Sequence, residues 1–329
     1  KGDLFVINGL NQPIPMGLVA AAGKKAEELT MFGAKFEDLH RGGWDPEARM
    51  ADQDRDGVAA EVIYPTIAMR IFAVPDPELK RACFDAYHTW VAEFCRPYPN
   101  RFKAVGMIAL DDLDNAVADL YRTKALGLAG AMITFTTNEP TLFSDEAYDR
   151  FWGTAEELEL PVSLHVGTDA KALDFAGASQ AMESVVPPQP QRCLANMIAG
   201  GVFCRFPKLQ VVSAENDVGW AAYFVERMDH LFKDAGKRLT YEYFIKDRGV
   251  LPSEFFRRNV ALTFIWDRTG VEMRHWLGVE NLMWSSDYPH PAGSWPNSQK
   301  VQEDLFRGVP ADERQMMEAG NAERIYHFN

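Results

Sequence analysis

Several features that would place this protein in common classes are scarce or missing from its 329 residues. It has only four cysteines, Cys83, Cys95, Cys193 and Cys204, and no C-x-x-C pair. A disulfide scaffold is therefore excluded, and we expect free thiols in a reducing cytoplasm. No apolar run reaches the roughly 18–20 residues that span a bilayer. After Lys1 there is no basic segment followed by an apolar stretch, so no signal peptide is expected.

The chain also has fewer positively than negatively charged residues. The chain has 34 Lys and Arg residues against 47 Asp and Glu residues, a formal net charge of −13 at pH 7. A polyanionic surface would repel such a chain, which argues against nucleic acid or an anionic membrane as its partner. The expected partners are a small-molecule substrate and other subunits, which are either copies of this chain or a homologous chain.

Short apolar strands alternate with amphipathic helices along most of the chain. Seven strands are predicted between Val58 and Trp284, and helices are predicted over residues 44–56, 77–94 and 217–232 among others. Such alternation indicates a parallel sheet that is covered on both faces. The sequence has no G-x-G-x-x-G or G-x-x-x-x-G-K-[ST] motif, which disfavours an open doubly wound sheet. The predicted fold class is therefore α/β, as a (β/α)8 TIM-like barrel.

One domain is expected for residues 1–329, since such a barrel commonly fills about 200 to 400 residues. Residues 1–43 are predicted to be an N-terminal extension with a hairpin, because a strand over residues 3–8 is followed by turn residues. Residues 44–329 are predicted to form the barrel and its C-terminal helices. Because the chain starts directly in a predicted strand, we expect residues of the full protein to precede Lys1.

Polar residues at the predicted strand ends mark the edge where a barrel places its chemistry. His165, Glu215 and Asp287 each end or closely follow a strand, and Glu61 lies inside the first one. Taken singly, they are also typical of a core histidine, a helix cap and a turn. Converging carboxylates would be partly protonated unless a cation lay among them. The four residues are therefore candidate ligands of Zn²⁺, Mn²⁺ or Fe²⁺, as one metal ion or two.

Four segments resemble the amidohydrolase-related branch of the amidohydrolase superfamily, which includes the aminocarboxymuconate-semialdehyde decarboxylase-like enzymes. They are residues 161–167 (PVSLHVG), 206–212 (FPKLQVV), 284–290 (WSSDYPH) and 320–326 (GNAERIY), in that order along the chain. The resemblance implies a TIM-like barrel with a metal at the carboxyl ends of its strands. It also implies that His165 is the fifth-strand ligand, and that the eighth-strand Asp287 binds metal and shuttles a proton.

The sequence departs from the family pattern in two places. The family has an H-x-H pair at the end of its first strand, and this sequence contains no H-x-H. The first barrel strand of the family and its H-x-H pair are therefore expected either upstream of Lys1 or absent from the protein. Decarboxylase-like members usually have a histidine after the sixth strand, where this sequence has Glu215. An acid at this position cannot act as the usual imidazole, but it can bridge metals or hold a second cation.

Three functions are consistent with these residues. The first is a metal-dependent enzyme whose metal-activated water serves in hydrolysis, hydration or non-oxidative decarboxylation of a small organic acid or ring compound. The second is a dinuclear non-haem iron or manganese–iron oxygenase, which the acids Glu61 and Glu215 suggest. The third is a non-catalytic partner subunit of an active homologue, if the H-x-H pair is missing. One metal equivalent per chain indicates the first function, and two indicate the second.

A long segment without helical or strand periodicity lies at residues 167–187, after the strand that ends in His165. Loops of this length in compact domains are often lids or binding loops, so the segment is a candidate lid. Arg192 lies just beyond it and is predicted to bind a carboxylate of the substrate. An exposed helix or a dimer arm is the alternative.

Residues around Asp287 supply the other candidate contacts. Trp284 and Tyr288 are predicted to bind substrate in an aromatic pocket, although most aromatic residues at such spacings belong to the core. His290 is assigned with Asp287 to the catalytic pair, as a hydrogen-bond donor to that carboxylate.

Overall fold

The computed structural model describes residues 2–10, 13–137, 141–168, 188–234 and 249–328. Seven parallel strands form its main sheet, and each strand pairs with the next strand along the chain. They are β3 (Glu61–Ile63), β4 (Phe102–Met107), β5 (Gly130–Ile133), β6 (Val162–His165), β7 (Val211–Ala214), β8 (Val260–Phe264) and β9 (Leu282–Trp284). A separate antiparallel pair comes first, β1 (Leu4–Phe5) with β2 (Ile14–Pro15). The predicted α/β class and parallel sheet are confirmed.

One α-helix precedes β3, and the α-helices after it connect the successive parallel strands, as parallel pairing requires. They are α1 (Pro46–Asp56), α2 (Pro77–Cys95), α3 (Leu113–Ala125), α4 (Asp149–Glu157), α5 (Pro188–Ala199), α6 (Val202–Arg205), α7 (Gly219–Asp234), α8 (Pro252–Asn259), α9 (Arg268–Glu272) and α10 (Arg274–Leu277). After β9 follow α11 (Ser298–Leu305), α12 (Ala311–Gln315), a π-helical turn (Met316–Gly320) and α13 (Asn321–Tyr326). Within the described ranges, no helix is both long and apolar enough to cross a membrane.

Local sequence signals set the bounds of the first helix. Asp45 caps α1, because its side chain accepts hydrogen bonds from the backbone N–H groups of Glu47 and Ala48. Pro46 occupies the first turn, where its missing N–H is not needed. Gly57 ends the helix in the left-handed region, at φ 72°. The predicted helix over 44–56 is therefore confirmed, except that it starts after its cap.

Side chains of the strands alternate between two apolar layers. In the outer layer, strand side chains such as Phe264 pack against the helix residues Trp152, Phe203 and Phe256, and all four are fully buried. The inner layer includes Val105, Met107, Met132, Val212, Ala261 and Met283. On β6, Val162 and Leu164 belong to the outer layer. Because successive side chains point to opposite faces, Ser163 and His165 face the interior of the sheet.

A buried histidine joins α2 to β4. His88 is 1% exposed, and its Nε2 accepts a hydrogen bond of 2.8 Å from the backbone N–H of Met107. Gly106 leaves room for the ring, because a Cβ there would lie 3.1 Å from His88 Nε2. Burial lowers the pKa of His88 to about 4. The neutral ring is therefore part of the packing between helix and sheet.

We expect His88 to make the fold less stable in mild acid. Its pKa is about 4 in the folded protein and 6.5 when fully solvated, so the unfolded chain binds the proton more readily between these values. The stability that His88 contributes is present above pH 6.5 and is lost as the pH falls toward 4. Linkage puts the loss between pH 7 and pH 5 at about 2 kcal/mol.

Urea unfolding at pH 7 and pH 5 measures this loss in the wild type and in His88→Gln, which keeps a hydrogen-bond acceptor. The pH-dependent loss of unfolding free energy should be about 2 kcal/mol smaller in the variant. Equal losses in the two proteins would show that His88 does not set the pH dependence.

Candidate functional site

A cavity of about 1620 Å³ lies against the inner face of the sheet. Its lining includes residues from β3, β6, β7, β8 and β9 and from the segments that follow these strands. Parallel strands bring their carboxyl ends to one edge, and there His165, Glu215, Asp287 and His290 all line the cavity. The structure thus brings together the site residues predicted at the ends of β6, β7 and β9.

The closest contact among them joins His165 and Glu215. His165 Nδ1 donates a hydrogen bond of 2.7 Å to the carbonyl oxygen of Val166. His165 Nε2 lies 3.0 Å from Glu215 Oε2. Burial alone would lower the pKa of His165, but its contact with Glu215 raises it above the usual value. In this tautomer Nε2 and Oε2 are both acceptors, so a proton or a cation has to lie between them.

Glu215 is not a helix cap. Asp267 caps α7 instead, since its Oδ2 accepts hydrogen bonds from the backbone N–H groups of Val218, at 2.8 Å, and Gly219, at 2.5 Å. Glu215 has a left-handed backbone, φ 56°, which is uncommon for a residue with a side chain. Its backbone N–H donates to Thr263 Oγ1 at 2.8 Å. The local backbone therefore directs this carboxylate toward His165.

Asp287 and His290 form the second pair of the site. His290 Nδ1 lies 3.0 Å from Asp287 Oδ2, and the Asp287 side chain is 17% exposed. Asp287 also has a left-handed backbone, φ 53°, and such strained residues cluster at functional sites. Burial raises the pKa of Asp287, and the nearby charge of Glu215 raises it further, against the lowering effect of His290. The contact with Asp287 raises the pKa of His290.

His165, Glu215 and Asp287 have the donor chemistry of a divalent-metal site. A metal-binding histidine commonly donates its other ring N–H to a carbonyl, as His165 does to Val166. The 3.0 Å between His165 Nε2 and Glu215 Oε2 suits two neighbouring ligands of one ion, each about 2.1 Å from it. In the part of the chain that the structure describes, no group of three or more His, Cys, Asp and Glu side chains forms a ready cluster. These donor atoms suit a divalent metal ion. The structure arranges the residues as two pairs, His165 with Glu215 and Asp287 with His290.

Glu61 already has a cation beside it. The Arg49 guanidinium binds both of its carboxylate oxygens, with Nη2 2.9 Å from Oε2 and Nε in a shorter contact to Oε1. The side chains are 5% and 13% exposed, so this is a buried ion pair. A carboxylate in an apolar strand needs a partner or a metal, and here the partner is an arginine. We therefore do not include Glu61 in the metal set.

Tyr288 fixes the segment that follows Asp287. Its hydroxyl donates to Asp52 Oδ2 at 2.5 Å, and the Arg49 guanidinium lies 4.8 Å from its ring centre. Arg49 Nη2 also donates to the carbonyl oxygen of Tyr288 at 3.3 Å. His40 Nε2 shares Asp52 Oδ2, at 2.8 Å. Tyr288 lines the cavity, but its hydroxyl is committed to Asp52, which favours a positioning role over substrate contact.

The other two residues predicted to bind substrate differ in placement. Trp284 lines the cavity, and its indole N–H is buried without a hydrogen-bond partner among the described residues. Arg192 is exposed on α5 and is not part of the cavity lining. The helix turns Cys193, Leu194 and Met197 to the core and Arg192 to the outside, because these faces lie on opposite sides of α5. The candidate lid over 167–187 lies, beyond Thr168, outside the described residues.

Sequence patterns did not reveal a hydrogen-bonded tyrosine pair beneath His165. The Tyr64 hydroxyl is 2.7 Å from Ser163 Oγ and 2.6 Å from the Tyr326 hydroxyl. The Tyr64 ring lies 5.4 Å from the His165 ring, between ring centres. Burial raises the pKa of both tyrosines, so both hydroxyls stay protonated. Because side chains alternate along β6, the sequence predicts that Ser163 lies on the same face as His165. Tyr326 is far from Tyr64 in sequence, and no local pattern indicates their contact.

Comparison with known proteins places the chain in a family. The amidohydrolase family profile matches residues 17–328. Gamma-resorcylate decarboxylase of Rhizobium radiobacter is 26% identical over 282 residues, which cover 78% of this chain and 82% of that protein. The 2-amino-3-carboxymuconate-6-semialdehyde decarboxylase of Dictyostelium discoideum is 24% identical over 284 residues, 84% of this chain and 75% of that protein.

A solved structure agrees with the fold. The 5-carboxyvanillate decarboxylase of Sphingomonas paucimobilis superposes with a TM-score of 0.69 at 25% identity, covering 85% of this chain and 82% of that chain. The predicted TIM-like barrel is thus confirmed, as is the resemblance to the decarboxylase branch.

We expect Glu61 to stabilise the fold and Glu215 to stabilise metal binding. Glu61→Gln leaves the buried Arg49 charge without its partner, so unfolding free energy should fall by about 3–5 kcal/mol. Its metal content should stay at the wild-type level. Glu215→Gln should lower the metal content instead, because it removes a ligand charge beside His165. Urea unfolding and elemental analysis measure the two effects, and metal loss in Glu61→Gln alone would overturn the assignment.

Proposed function

We propose that this chain, which belongs to the amidohydrolase family, removes a carboxylate from an aromatic acid as CO₂ without an oxidant. The chain is an enzyme, since its relatives are decarboxylases of this family. The observation that supports the reaction is the meeting of His165, Glu215 and Asp287 on one cavity, at the carboxyl ends of parallel strands.

A divalent metal ion is part of this proposal. His165 Nε2 and the carboxylates of Glu215 and Asp287 would hold it. When bound, the ion supplies a Lewis acid that fixes a substrate oxygen and stabilises negative charge during the reaction. His165 is already oriented for this role, because Nδ1 is engaged by Val166 and Nε2 faces the cavity.

Asp287 is proposed to hold the proton that replaces CO₂. In the net reaction the C–C bond breaks, its electron pair stays on the ring carbon, that carbon takes up a proton, and neutral CO₂ leaves. The proton would be carried on Oδ2, the oxygen that contacts His290. His290 Nδ1, 3.0 Å away, holds this oxygen in place and can return a proton to it.

The cavity walls suit a ring. Val62, Tyr64, Ile71 and Met283 line it and are apolar or aromatic. A mainly apolar lining with a few convergent polar groups is typical of small-molecule sites. An aromatic acid would bury its ring on these walls while its oxygens face His165 and the carboxylates.

The two other functions have less support. A dinuclear oxygenase would use Glu61 for its second cation, and Arg49 already neutralises that carboxylate. A non-catalytic subunit does not agree with the relationship to enzymes along most of the chain. We therefore retain decarboxylation alone.

We expect the Mn²⁺-loaded protein to release CO₂ from gamma-resorcylate or 5-carboxyvanillate, the acids after which two relatives are named. Chelation should abolish CO₂ release and Mn²⁺ should restore it, because the Lewis acid is required. A coupled CO₂ assay measures the rate. Absence of CO₂ from these two acids and from a panel of other hydroxybenzoates would contradict the proposal.

The matched variants for this assay are Asp287→Asn and Asp304→Asn. Asp287→Asn should lower kcat by about 100-fold or more, since the proton donor is lost. Asp304 lies on the surface, 59% exposed and bonded to Arg307, so its variant should keep wild-type kcat.

A further inference from the structure

Among the described residues, the cavity lining contains a cation, Arg70, that has no anion beside it. Arg70 lies in the 3₁₀ helix Ile67–Ala73, which follows β3 and is therefore on the same edge of the sheet as His165, Glu215 and Asp287. Its side chain is half-buried. Within the described residues it has neither an ion pair nor a hydrogen bond, and burial lowers the pKa of its guanidinium. A partly desolvated charge without a partner is costly, so this position favours an anion that arrives from outside.

The other arginines of the cavity lining are already paired. Arg49 binds Glu61, and Arg314 Nε lies 2.7 Å from Glu318 Oε1. The remaining charged groups near the proposed metal site are the two carboxylates Glu215 and Asp287 with their histidine partners. In the described part of the lining, Arg70 is thus the arginine left to attract an anionic group.

We propose that Arg70 binds a second anionic group of the substrate, so that this enzyme prefers aromatic acids with a carboxylate in addition to the one that leaves. The inference rests on the proposed decarboxylation and adds the substrate class. Arg70 acts here as a specificity-determining residue.

The direction of electron flow distinguishes the two carboxylates. The carboxylate that leaves loses its negative charge as the electron pair of the breaking bond moves to the ring carbon. A guanidinium fixed on that group would stabilise the ground state more than the transition state and would slow the reaction. A carboxylate that stays on the ring keeps its charge throughout. Arg70 can hold it in both states, which lowers KM without opposing the chemical step.

The side-chain type fits this role. A guanidinium presents a planar pair of N–H donors that matches the two oxygens of a carboxylate. Its neighbours Met69 and Ile71 also line the cavity and are apolar, so the charge is isolated within this wall. An acid with one carboxylate would leave Arg70 without a partner, whereas a dicarboxylate would give it one.

Binding to the Mn²⁺-loaded protein tests the proposal without turnover. The probes are isophthalate and benzoate, which differ by one carboxylate. By calorimetry, the wild type should bind isophthalate at least about 10-fold more tightly than benzoate, as expected for hydrogen bonds to a charged group. Arg70→Gln should lose this preference, Arg70→Lys should keep part of it, and the paired Arg314→Gln should keep all of it. No preference in the wild type, or a preference retained by Arg70→Gln, would overturn the proposal.

Kinetics with 5-carboxyvanillate and gamma-resorcylate form the second arm. Arg70→Gln should raise KM for the dicarboxylic 5-carboxyvanillate by about 10–100-fold with kcat within about threefold, and should leave KM for gamma-resorcylate unchanged. A rise in kcat together with the raised KM would place Arg70 on the leaving carboxylate, and a loss of kcat at unchanged KM would place it in the chemical step; either result would overturn the proposal. If the wild type shows an Arg70-dependent preference for isophthalate but releases no CO₂, the anion site stands and the proposed function fails.

Discussion

The 3.0 Å contact between His165 Nε2 and Glu215 Oε2 requires a positive charge between the two atoms, and the rest of the site depends on this requirement. Both atoms are acceptors once Nδ1 donates to Val166, so they stay together only with a proton or a cation between them. The sheet itself creates the contact, because β6 and β7 pair His165 with Ala214, the residue before Glu215. The proposed divalent ion would satisfy the two acceptors and would also reduce the repulsion between Glu215 and Asp287.

Neighbouring residues keep these side chains free for that role. Asp267 accepts hydrogen bonds from the backbone N–H groups at the start of α7, which leaves Glu215 without a capping function. Arg49 neutralises Glu61 and holds the backbone of Tyr288, the residue next to Asp287. Each carboxylate near the site thus has one partner: Arg49 for Glu61, His165 for Glu215 and His290 for Asp287. Among the described residues Arg70 is outside this pairing, and for this reason we propose that the substrate supplies its counter-ion.

Much of the fold follows from the sequence, because short apolar strands and capped amphipathic helices are local signals. The two-residue alternation of side chains along β6 and the position of His165 at its end were enough to place the imidazole on the inner face of the sheet. The distinction between Glu61 and Glu215 was not predictable, since Arg49 lies 12 residues from Glu61 and on another element. The placement of Arg192 was not predictable for a similar reason. Its position after a long loop suggested the site, whereas the face it occupies on α5 is fixed by the packing of the whole helix.

The most direct test of the metal site is a crystal structure of the Mn²⁺-loaded protein with anomalous data collected at the manganese edge. We expect one anomalous peak at coordination distance, about 2.0–2.3 Å, from His165 Nε2, with Glu215 and Asp287 as further ligands and Glu61 still bound to Arg49. A structure with full Mn²⁺ occupancy elsewhere, and with His165 still in a direct hydrogen bond to Glu215, would contradict it.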